Sequence, residues 1–332
     1  MITGRTFAEV YDKLLLSLLE EGKEVSPRGM LTKELMQETF CIEDPNSSLI
    51  YIPGRNFSLV HAIHESFLIF CDNNHVKVAG YFNKNIEQFS DDGETLYGSY
   101  GHRIATKMQG VLDKLKEDHD TRQALLTIHR VDDSIVKTKD PPCTITLQFT
   151  IRDEKLNMHV YMRSNDIVWG TPYDVFVFTT IQKVFANTLG IPVGKYYHTA
   201  TSLHMYERDF EKCREYIGHC EPIEYKIESK FYGWSHCADK LVRMLTNPKI
   251  TSIADFVHST YIDVAWPSAI LLLELVHRKD AIGEKIRKYI DVAGYVEYFD
   301  ERHKLDFSKP FTKRFLEDSW YLGVSNDFKR GT

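Results

Sequence analysis

The sequence predicts a protein of mixed α-helix and β-strand, because both kinds of hydrophobic pattern occur in one chain. Apolar side chains recur at helical spacing over residues 7–21, whereas residues 145–162 are rich in β-branched residues and alternate in polarity. With 332 residues and 43% hydrophobic content, the chain is long enough to bury a large core. We therefore expect the α/β (α+β) fold class.

The elements follow in order along the chain. After the helix at 7–21, residues 58–71 predict a second helix, 123–130 and 145–162 predict strands, and about 174–189 and 207–217 predict further helices. From about 236 onward the pattern is mostly helical, most clearly at 265–277 and 281–290. No repeat or Gly/Ser-rich linker interrupts the chain. We expect a catalytic domain over 1–240 and a helical C-terminal extension over 241–332, packed on the same domain.

Composition limits the classes of function. The formal charge is −6 and the charged residues, 27% of the chain, are interspersed, which argues against a nonspecific nucleic-acid binder. The six cysteines form no Cys-x-x-Cys pair and the N-terminus lacks an apolar signal segment, so we expect reduced thiols and a cytoplasmic protein. The longest apolar run, 269–276, contains a glutamate and is too short to span a bilayer.

One short region combines a thiol, an arginine and two carboxylates. Cys143 follows Pro141-Pro142, which should form a rigid turn at the entrance of a strand, and the segments 161–166 and 169–174 follow within about thirty residues. A cysteine near a strand start is more often a small buried side chain. A nearby guanidinium such as Arg163 would lower the pKa of the thiol, so the context favours a nucleophile.

Four spaced motifs carry a resemblance to a known family. They are Pro-Cys at 142–143, Arg-Ser-x-Asp at 163–166, Gly-x-x-x-Asp at 170–174 and His-x-Tyr at 204–206. In this order and spacing they resemble the thymidylate synthase family, most closely its pyrimidine hydroxymethylase branch, over roughly residues 8–235. The resemblance implies a thymidylate synthase-like fold with a large bent sheet, a homodimer formed through that sheet, and 5,10-methylenetetrahydrofolate as cosubstrate.

The resemblance also implies how the nucleotide phosphate is bound. Arg163 would bind the phosphate beside the nucleophile, Ser164 would donate to it, and Arg28 lies in the matching N-terminal phosphate loop. Arg122 lies in a segment that reaches into the partner subunit's phosphate site in this family. Gln123 replaces the family's second arginine there, so the shared site would be one charge weaker.

Catalytic and further binding roles follow from the same resemblance. Cys143 would add to C6 of the pyrimidine, while Glu65 directs proton transfer and Tyr100 joins the water network. Glu65 stands in an apolar run, where an ionised carboxylate would be costly without a purpose. His204 and Tyr206 would bind the sugar hydroxyl.

The remaining binding residues would line the folate side of the site. Asp166 would contact the pterin ring and the nucleotide, with Gly170, Ile86 and Phe89 beside the folate. No metal is expected, although His61, His64 and Glu65 share a helical spacing.

Several residues depart from the methylating members of the family. Asp174 stands where those enzymes have an asparagine that pairs with uracil, so a carboxylate there favours cytosine. Ser202, counted among the substrate-binding residues, stands where many methylating members have aspartate. Ile86 and Phe89 replace a tryptophan-rich stretch and Thr144 replaces a histidine, while Asn165 fits the same trend. Weaker shielding of the intermediate favours water over hydride in the final step.

The sequence therefore predicts a deoxycytidylate (dCMP) 5-hydroxymethyltransferase. Three alternatives remain open: a hydroxymethylase specific for CMP, a methylating enzyme of the thymidylate synthase type, and a noncatalytic protein that binds nucleotide or another protein. Retention of Cys143, Glu65 and Arg163 together counts against the last of these.

Overall fold

A computed structural model describes residues 1–249, 251–256, 271, 274–275 and 280–286. The helices of this part are α1 (Phe7–Glu21), α2 (Leu59–Leu68), α3 (Val76–Ala79), α4 (Tyr100–Ile104), α5 (Met108–Glu117), α6 (Thr171–Leu189), α7 (Phe210–Tyr216) and α8 (Phe231–Thr246). The strands are β1 (Ile2–Gly4), β2 (Lys23–Val25), β3 (Thr32–Ile42), β4 (Leu49–Tyr51), β5 (Leu125–Thr127), β6 (Thr144–Arg152), β7 (Lys155–Met162), β8 (Asn165–Asp166), β9 (Val193–Tyr206) and β10 (Glu221–Ile223).

A large mixed sheet organises the molecule. Its strands run in the order β1-β3-β9-β7-β6-β5, with β2 added to β3 and β8 added to β9. Strand β9 is central, because it pairs antiparallel with β3 and parallel with both β7 and β8. Gln37 has a φ of 55°, and the register of β3 with β9 is the same on either side of it. The ends of β7 and β9, the short β8, the start of β6 and the first turn of α6 bring the four sequence motifs to one edge of the sheet.

Helices α1 and α6 cover one face of this sheet. Helix α1 is amphipathic and is capped by Thr6, whose side chain accepts from the backbone N–H of Glu9. Helix α6 is buried on almost every side, because α2 and α8 pack on it opposite the sheet. It ends at Gly190, whose φ of 73° is the left-handed conformation that favours glycine. Helix α6 therefore holds its first turn rigidly at the edge of the sheet.

The predicted elements compare well with these bounds. The helix at 7–21 is confirmed, and those at 58–71, 174–189 and 207–217 correspond to α2, α6 and α7 with ends shifted by a few residues. The strand predicted at 145–162 is the hairpin of β6 and β7, and that at 123–130 is the shorter β5. Cys143 directly precedes β6, as predicted.

Helix α8 connects the sheet domain to the predicted C-terminal extension. The Trp234 ring stacks on Phe67 at 4.6 Å, and its indole N–H donates to Ser66 O at 3.0 Å. Residues 251–256 and 281–286 are helical, and Tyr81 donates to Asp280 at 2.9 Å. The predicted division at residue 240 falls inside α8 and stays a prediction, since most of 265–277 and all of 287–332 lie outside the described residues.

Candidate active site

A pocket of about 570 Å³ opens where α2, α4 and α6 meet the ends of β7 and β9. This volume is in the range of small-molecule sites. The pocket gathers most of the predicted site residues: Arg28, Glu65, Ile86, Phe89, Tyr100, Cys143, Arg163, Ser164, Asp166, Gly170, Asp174, His204 and Tyr206. Arg122 and Ser202 lie outside its lining.

The Pro141-Pro142 turn positions both Cys143 and Arg163. The guanidinium of Arg163 donates from Nε to Pro142 O and from Nη2 to Pro141 O, each at 3.0 Å. Its Nη2 also lies 3.7 Å from Cys143 Sγ, and its backbone N–H donates to Cys143 O at 2.9 Å. The turn carbonyls thus hold an arginine beside the thiol.

Burial and Arg163 act on the Cys143 thiol in opposite directions. Burial raises the pKa of Cys143, Arg163 lowers it, and Asp174 and Asp140 raise it further. The predicted effect of Arg163 is thus present, but burial outweighs it and the net shift is upward. The thiol is therefore protonated near neutral pH, so its proton must be removed when the nucleophile attacks.

Tyr100, the first residue of α4, is linked to the residue that follows the nucleophile. Its hydroxyl accepts from the backbone N–H of Thr144 at 3.1 Å. Two residues earlier, the Gly98 N–H donates to Asp140 Oδ2 at 2.7 Å. These two bonds tie the segments around residues 100 and 143 together across more than forty positions of the chain.

Glu65 lies on the pocket side of α2. Its side chain is 38% exposed, so the expectation that it stands among apolar groups is wrong: the helical period directs Phe67 into the core and Glu65 into the pocket. Its Oε1 lies 3.5 Å from His61 Nε2, which is also 3.2 Å from the amide nitrogen of Asn83. His61 is buried and orients Glu65 from one side.

Asp174 lies in the first turn of α6 and contacts Asn165. Asn165 Nδ2 donates to Asp174 Oδ2 at 2.8 Å, and the Thr171 hydroxyl donates to Asn165 Oδ1 at 2.8 Å. Burial raises the pKa of Asp174 to about 8, the negative charge of Glu65 adds to this, and the bond from Asn165 opposes it. Asp174 is therefore largely protonated at neutral pH and can donate as well as accept.

Asp166 organises the turn that leads into α6. Its Oδ1 accepts from the backbone N–H groups of Val168 and Trp169, at 2.8 and 3.1 Å. Burial raises the pKa of Asp166, while these two bonds lower it. Asp166 lines the pocket, but one of its oxygens is occupied by the turn.

The phosphate and sugar candidates surround one end of the pocket. Arg28 is exposed and has a left-handed backbone with φ of 55°, and it is followed by Gly29 at 78°. His204 is 8% exposed, and its ring contacts Tyr206 edge-on at 5.4 Å. Ser202 lies behind His204: its hydroxyl bonds to Glu34 at 2.5 Å and is 3.4 Å from His204 Nδ1. Ser202 therefore orients His204 instead of lining the pocket.

Part of the lining is apolar. Ile86 and Phe89 come from a 3₁₀ turn at Lys84–Phe89, and Phe89 is 42% exposed. The pocket is also lined by Leu68, Ile69, Ala79, Leu96 and Phe178. The lining thus combines groups that suit an anion and a sugar with groups that suit a flat apolar ring system.

Three further lining residues were missed as site candidates from sequence. Asp140 and Tyr173 carry no distinctive signal, because an isolated aspartate in a loop and a tyrosine in a helix are common. Asn165 lies inside the Arg-Ser-x-Asp motif at its variable position, where only the contact with Asp174 identifies its importance.

Two kinds of feature, a metal-binding cluster and a membrane-spanning helix, are absent from the described residues. In that part of the chain, no three His, Cys, Asp or Glu side chains are grouped so as to hold a metal ion. Within the same residues, no helix is long and apolar enough to cross a membrane.

Comparison with known proteins agrees with this arrangement. Residues 9–229 match the profile of the thymidylate synthase family, and this range includes Cys143, Arg163, Asp174 and His204 of the pocket. The protein belongs to the thymidylate synthase family. Membership accounts for the mixed sheet and for the shared position of the four motifs at its edge.

Several phage proteins of this family are similar in sequence, and each is named deoxyuridylate hydroxymethyltransferase. That of Bacillus phage SP01 is 33% identical over 226 residues, covering 63% of this chain and 59% of that protein. Those of Delftia phage PhiW-14 and Pseudomonas phage M6 are 29% and 27% identical over 185 and 176 residues, or 51% of this chain each. This chain spans only 51% and 50% of those two relatives' lengths.

Proposed function

We propose that this protein transfers a one-carbon unit from 5,10-methylenetetrahydrofolate to C5 of a pyrimidine nucleoside monophosphate and completes the reaction with water. The observation that carries the proposal is the grouping of Cys143 and Arg163, 3.7 Å apart, with Glu65 and Asp174 in one pocket. The named relatives support the hydroxymethyl product.

The chemistry assigns a task to each group. Addition of the Cys143 thiolate to C6 makes C5 nucleophilic, and the folate supplies the one-carbon unit at the oxidation level of formaldehyde. Loss of the C5 proton, together with cleavage of the bond from the transferred carbon to tetrahydrofolate, which leaves with that electron pair, produces an exocyclic methylene on the pyrimidine. Hydroxide adds to that methylene, and the electron pair returned to the ring expels Cys143. Glu65, on the pocket side of α2, is suited to accept and return the protons.

Binding of the nucleotide would use both ends of the pocket. Arg163 Nη1 makes no hydrogen bond within the described residues, which leaves it for a phosphate oxygen, and Arg28 and Ser164 lie at the same end. His204 and Tyr206 would bind the sugar hydroxyl. Asp166 and Gly170, with Ile86 and Phe89 across the pocket, would contact the folate.

For the base we propose cytosine, and hence dCMP as the substrate. Asp174 accepts from Asn165 on one oxygen and can share a proton with N3 of cytosine while accepting from the exocyclic amino group. Deoxyuridylate is the second candidate, because the relatives carry that name and a carboxyl group protonated at neutral pH can also donate to O4 of uracil.

The decisive experiment is mass spectrometry of the products formed from dCMP, CMP and dUMP with methylenetetrahydrofolate. A hydroxymethyl product from dCMP supports the proposal. A methyl product, accompanied by the absorbance of dihydrofolate, would instead identify a methylating enzyme, and no product from any of the three would refute one-carbon transfer.

Asp174→Asn tests the choice of base. The amide presents a fixed donor and acceptor that suit uracil, so kcat/KM should fall for dCMP and rise for dUMP, changing their ratio by about a hundredfold or more. Competition between the two nucleotides measures this ratio in wild type and variant. If wild type prefers dUMP, or if the ratio does not change, cytosine is the wrong base.

We also propose a homodimer that uses the sheet face opposite α1 and α6. On that face β9 and β7 present half-buried hydroxyl groups and rings, including Tyr197, Thr199 and Tyr161, and the His159 ring stacks on Tyr197 at 4.8 Å. Arg122 adjoins this face, since its carbonyl accepts from Gln148 of β6 at 2.8 Å. Its place outside the pocket of its own chain fits a role in the partner's site.

A further inference from the structure

Asn165 is buried behind Asp174, the residue that we propose binds the base. In this position Asn165 can make only a limited set of hydrogen bonds. It is 2% exposed, and its amide connects Thr171, which is fully buried, to Asp174. The Thr171 hydroxyl lies 2.8 Å from Asn165 Oδ1 and 3.1 Å from Asp166 O. The amino group of Asn165 thus lies towards Asp174, and its oxygen lies towards the Thr171 hydroxyl.

We propose that Asn165 is a specificity-determining positioning residue, which confines the proton of the Asp174 carboxyl group to Oδ1 by donating to Oδ2. This inference rests on the proposed function, and it names the residue that determines which of two bases Asp174 binds. The carboxyl oxygen that already accepts an N–H bond acts as the carbonyl oxygen, so the proton lies on the other one.

The order of donor and acceptor is what distinguishes the two bases. Cytosine presents an amino donor at position 4 and an acceptor at N3, whereas uracil presents an acceptor at position 4 and a donor at N3. A carboxyl group with its proton on one defined oxygen complements one base and sets like groups against the other. If the proton can occupy either oxygen, the same carboxyl group complements both bases.

The surroundings of Asp174 support a protonated carboxyl group. Burial is the main cause of its raised pKa of about 8, followed by the charge of Glu65. The titratable groups that act on it or respond to it come from five parts of the chain: Glu65, Tyr100, Cys143, Asp166 and Tyr196. The lysines and arginines are not among the groups that determine its pKa, so Asn165 is the neighbour that opposes protonation.

Gly170 leaves the space that the Asn165 amide needs. A Cβ atom at Gly170 would lie 3.3 Å from Asn165 Nδ2 and 3.0 Å from Asp166 O. The backbone of Gly170 has a φ of −93°, so no left-handed conformation requires glycine here. Close approach of the Asp166 carbonyl group and of the Asn165 amide favours a glycine at this position.

The test compares Asn165→Leu and Thr171→Val with Thr180→Val. The first removes the bond to Asp174, and the second removes the hydroxyl that orients the amide. Thr180 is the control, because it is also fully buried on α6 but bonds to Phe176 O at 2.8 Å and does not line the pocket. Each protein is assayed for kcat/KM with dCMP and with dUMP, and over a range of pH.

We expect the ratio of the two kcat/KM values to move at least about tenfold towards unity in Asn165→Leu and in Thr171→Val, and to stay unchanged in Thr180→Val. Loss of the bond in Asn165→Leu should also raise the alkaline limb of the pH profile by about 0.5 to 1 unit. A merely structural role would lower both activities alike and leave the ratio and the profile in place, which would overturn the inference.

Other outcomes separate this inference from the proposed function. Wild type inactive on both nucleotides would refute the proposed function itself. Wild type that turns over both equally well would refute the inference alone, since there would be no discrimination to determine. If Asn165→Leu fails to fold by circular dichroism, the near-isosteric Thr171→Val decides, because it keeps the volume of the buried side chain.

Discussion

Cys143 depends on two neighbours, one before it and one after it in the chain. The Pro-Pro turn supplies two carbonyl groups that hold Arg163, and Arg163 in turn approaches the sulfur at 3.7 Å. Because burial nevertheless raises the pKa of the thiol, the arginine alone does not produce a thiolate. Substrate binding, which brings the reacting ring to the sulfur, is where we expect the proton to be lost.

Cys143→Ser should lower kcat by at least about a thousandfold, since a hydroxyl group cannot replace the thiolate as nucleophile. Binding of the nucleotide should change by less than about threefold, because phosphate and sugar contacts do not involve the sulfur. Calorimetric titration and product assays measure the two effects. Cys220→Ser, outside the pocket, is the control. Activity above about a thousandth of wild type would remove Cys143 from its role.

At the scale of elements, the contact of α4 with the end of α2 decides where Tyr100 and Glu65 lie. Gly101 makes this contact: a Cβ atom there would lie 2.1 Å from Leu68 O and 2.4 Å from Cys71 O. Both obstacles are backbone atoms, which cannot move aside as a flexible side chain could. The glycine is needed for space, and Tyr100 reaches Thr144 because α4 can approach α2 so closely.

Gly101→Ala should therefore destabilise the protein by about 2 kcal/mol or more and lower kcat, since both helices border the pocket. Urea denaturation and turnover measure these effects. Gly110→Ala on α5 is the control, because a Cβ atom there meets open space and alanine favours a helix by about 1 kcal/mol. If both variants behave alike, the contact between α2 and α4 is looser than these distances require.

At the scale of the whole molecule, two buried histidines oppose folding in acid. Burial lowers the pKa of His64 and of His198 from 6.5 to about 3. His198 Nδ1 lies 2.9 Å from the Tyr196 hydroxyl, and its Nε2 has no hydrogen-bond partner among the described residues. Below pH 6.5 these two histidines take up protons in the unfolded chain but stay neutral in the folded chain. The free energy of unfolding that is present above that pH is therefore lost as the pH falls.

His198→Asn should make this acid dependence weaker. The free energy of unfolding of wild type should fall by about 1.4 kcal/mol per pH unit for each of the two histidines between pH 6.5 and about 4. The variant should show a slope lower by about 1 kcal/mol per unit, whatever its stability at pH 7. Denaturation at several pH values measures the slope, with His119→Asn at an exposed site as control. Equal slopes in wild type and His198→Asn would contradict a buried neutral imidazole.

The proposed dimer is tested by complementation. Arg122→Ala should raise the KM for the nucleotide about tenfold or more, because a charged contact with the phosphate is lost. Refolding Arg122→Ala together with Cys143→Ser should restore about a quarter of wild-type activity, since half the dimers are mixed and each has one site with both groups. A monomer in sedimentation, or activity no greater than the sum of the two variants, would refute shared sites.

The amino-acid sequence by itself determined the kinds of chemical group at the site and the main helices and strands. The spacing of the four motifs, from Pro-Cys to His-x-Tyr, predicts the family, and that prediction is confirmed by the match over residues 9–229. Helical and alternating periodicity predicts α1, α2, α6 and the hairpin of β6 and β7, because the side chains of each element meet the core at a period set by local geometry.

The tertiary structure alone decided how those groups are protonated and oriented. Glu65 faces the pocket although residues 67–70 of the same segment are apolar, and Ser202 lies behind His204. The bond from Asn165 to Asp174 joins a strand to a helix, and Tyr100 meets Thr144 across 44 residues. Burial and hydrogen-bond partners depend on elements that are distant along the chain, so a motif can name a carboxyl group but cannot tell where its proton lies.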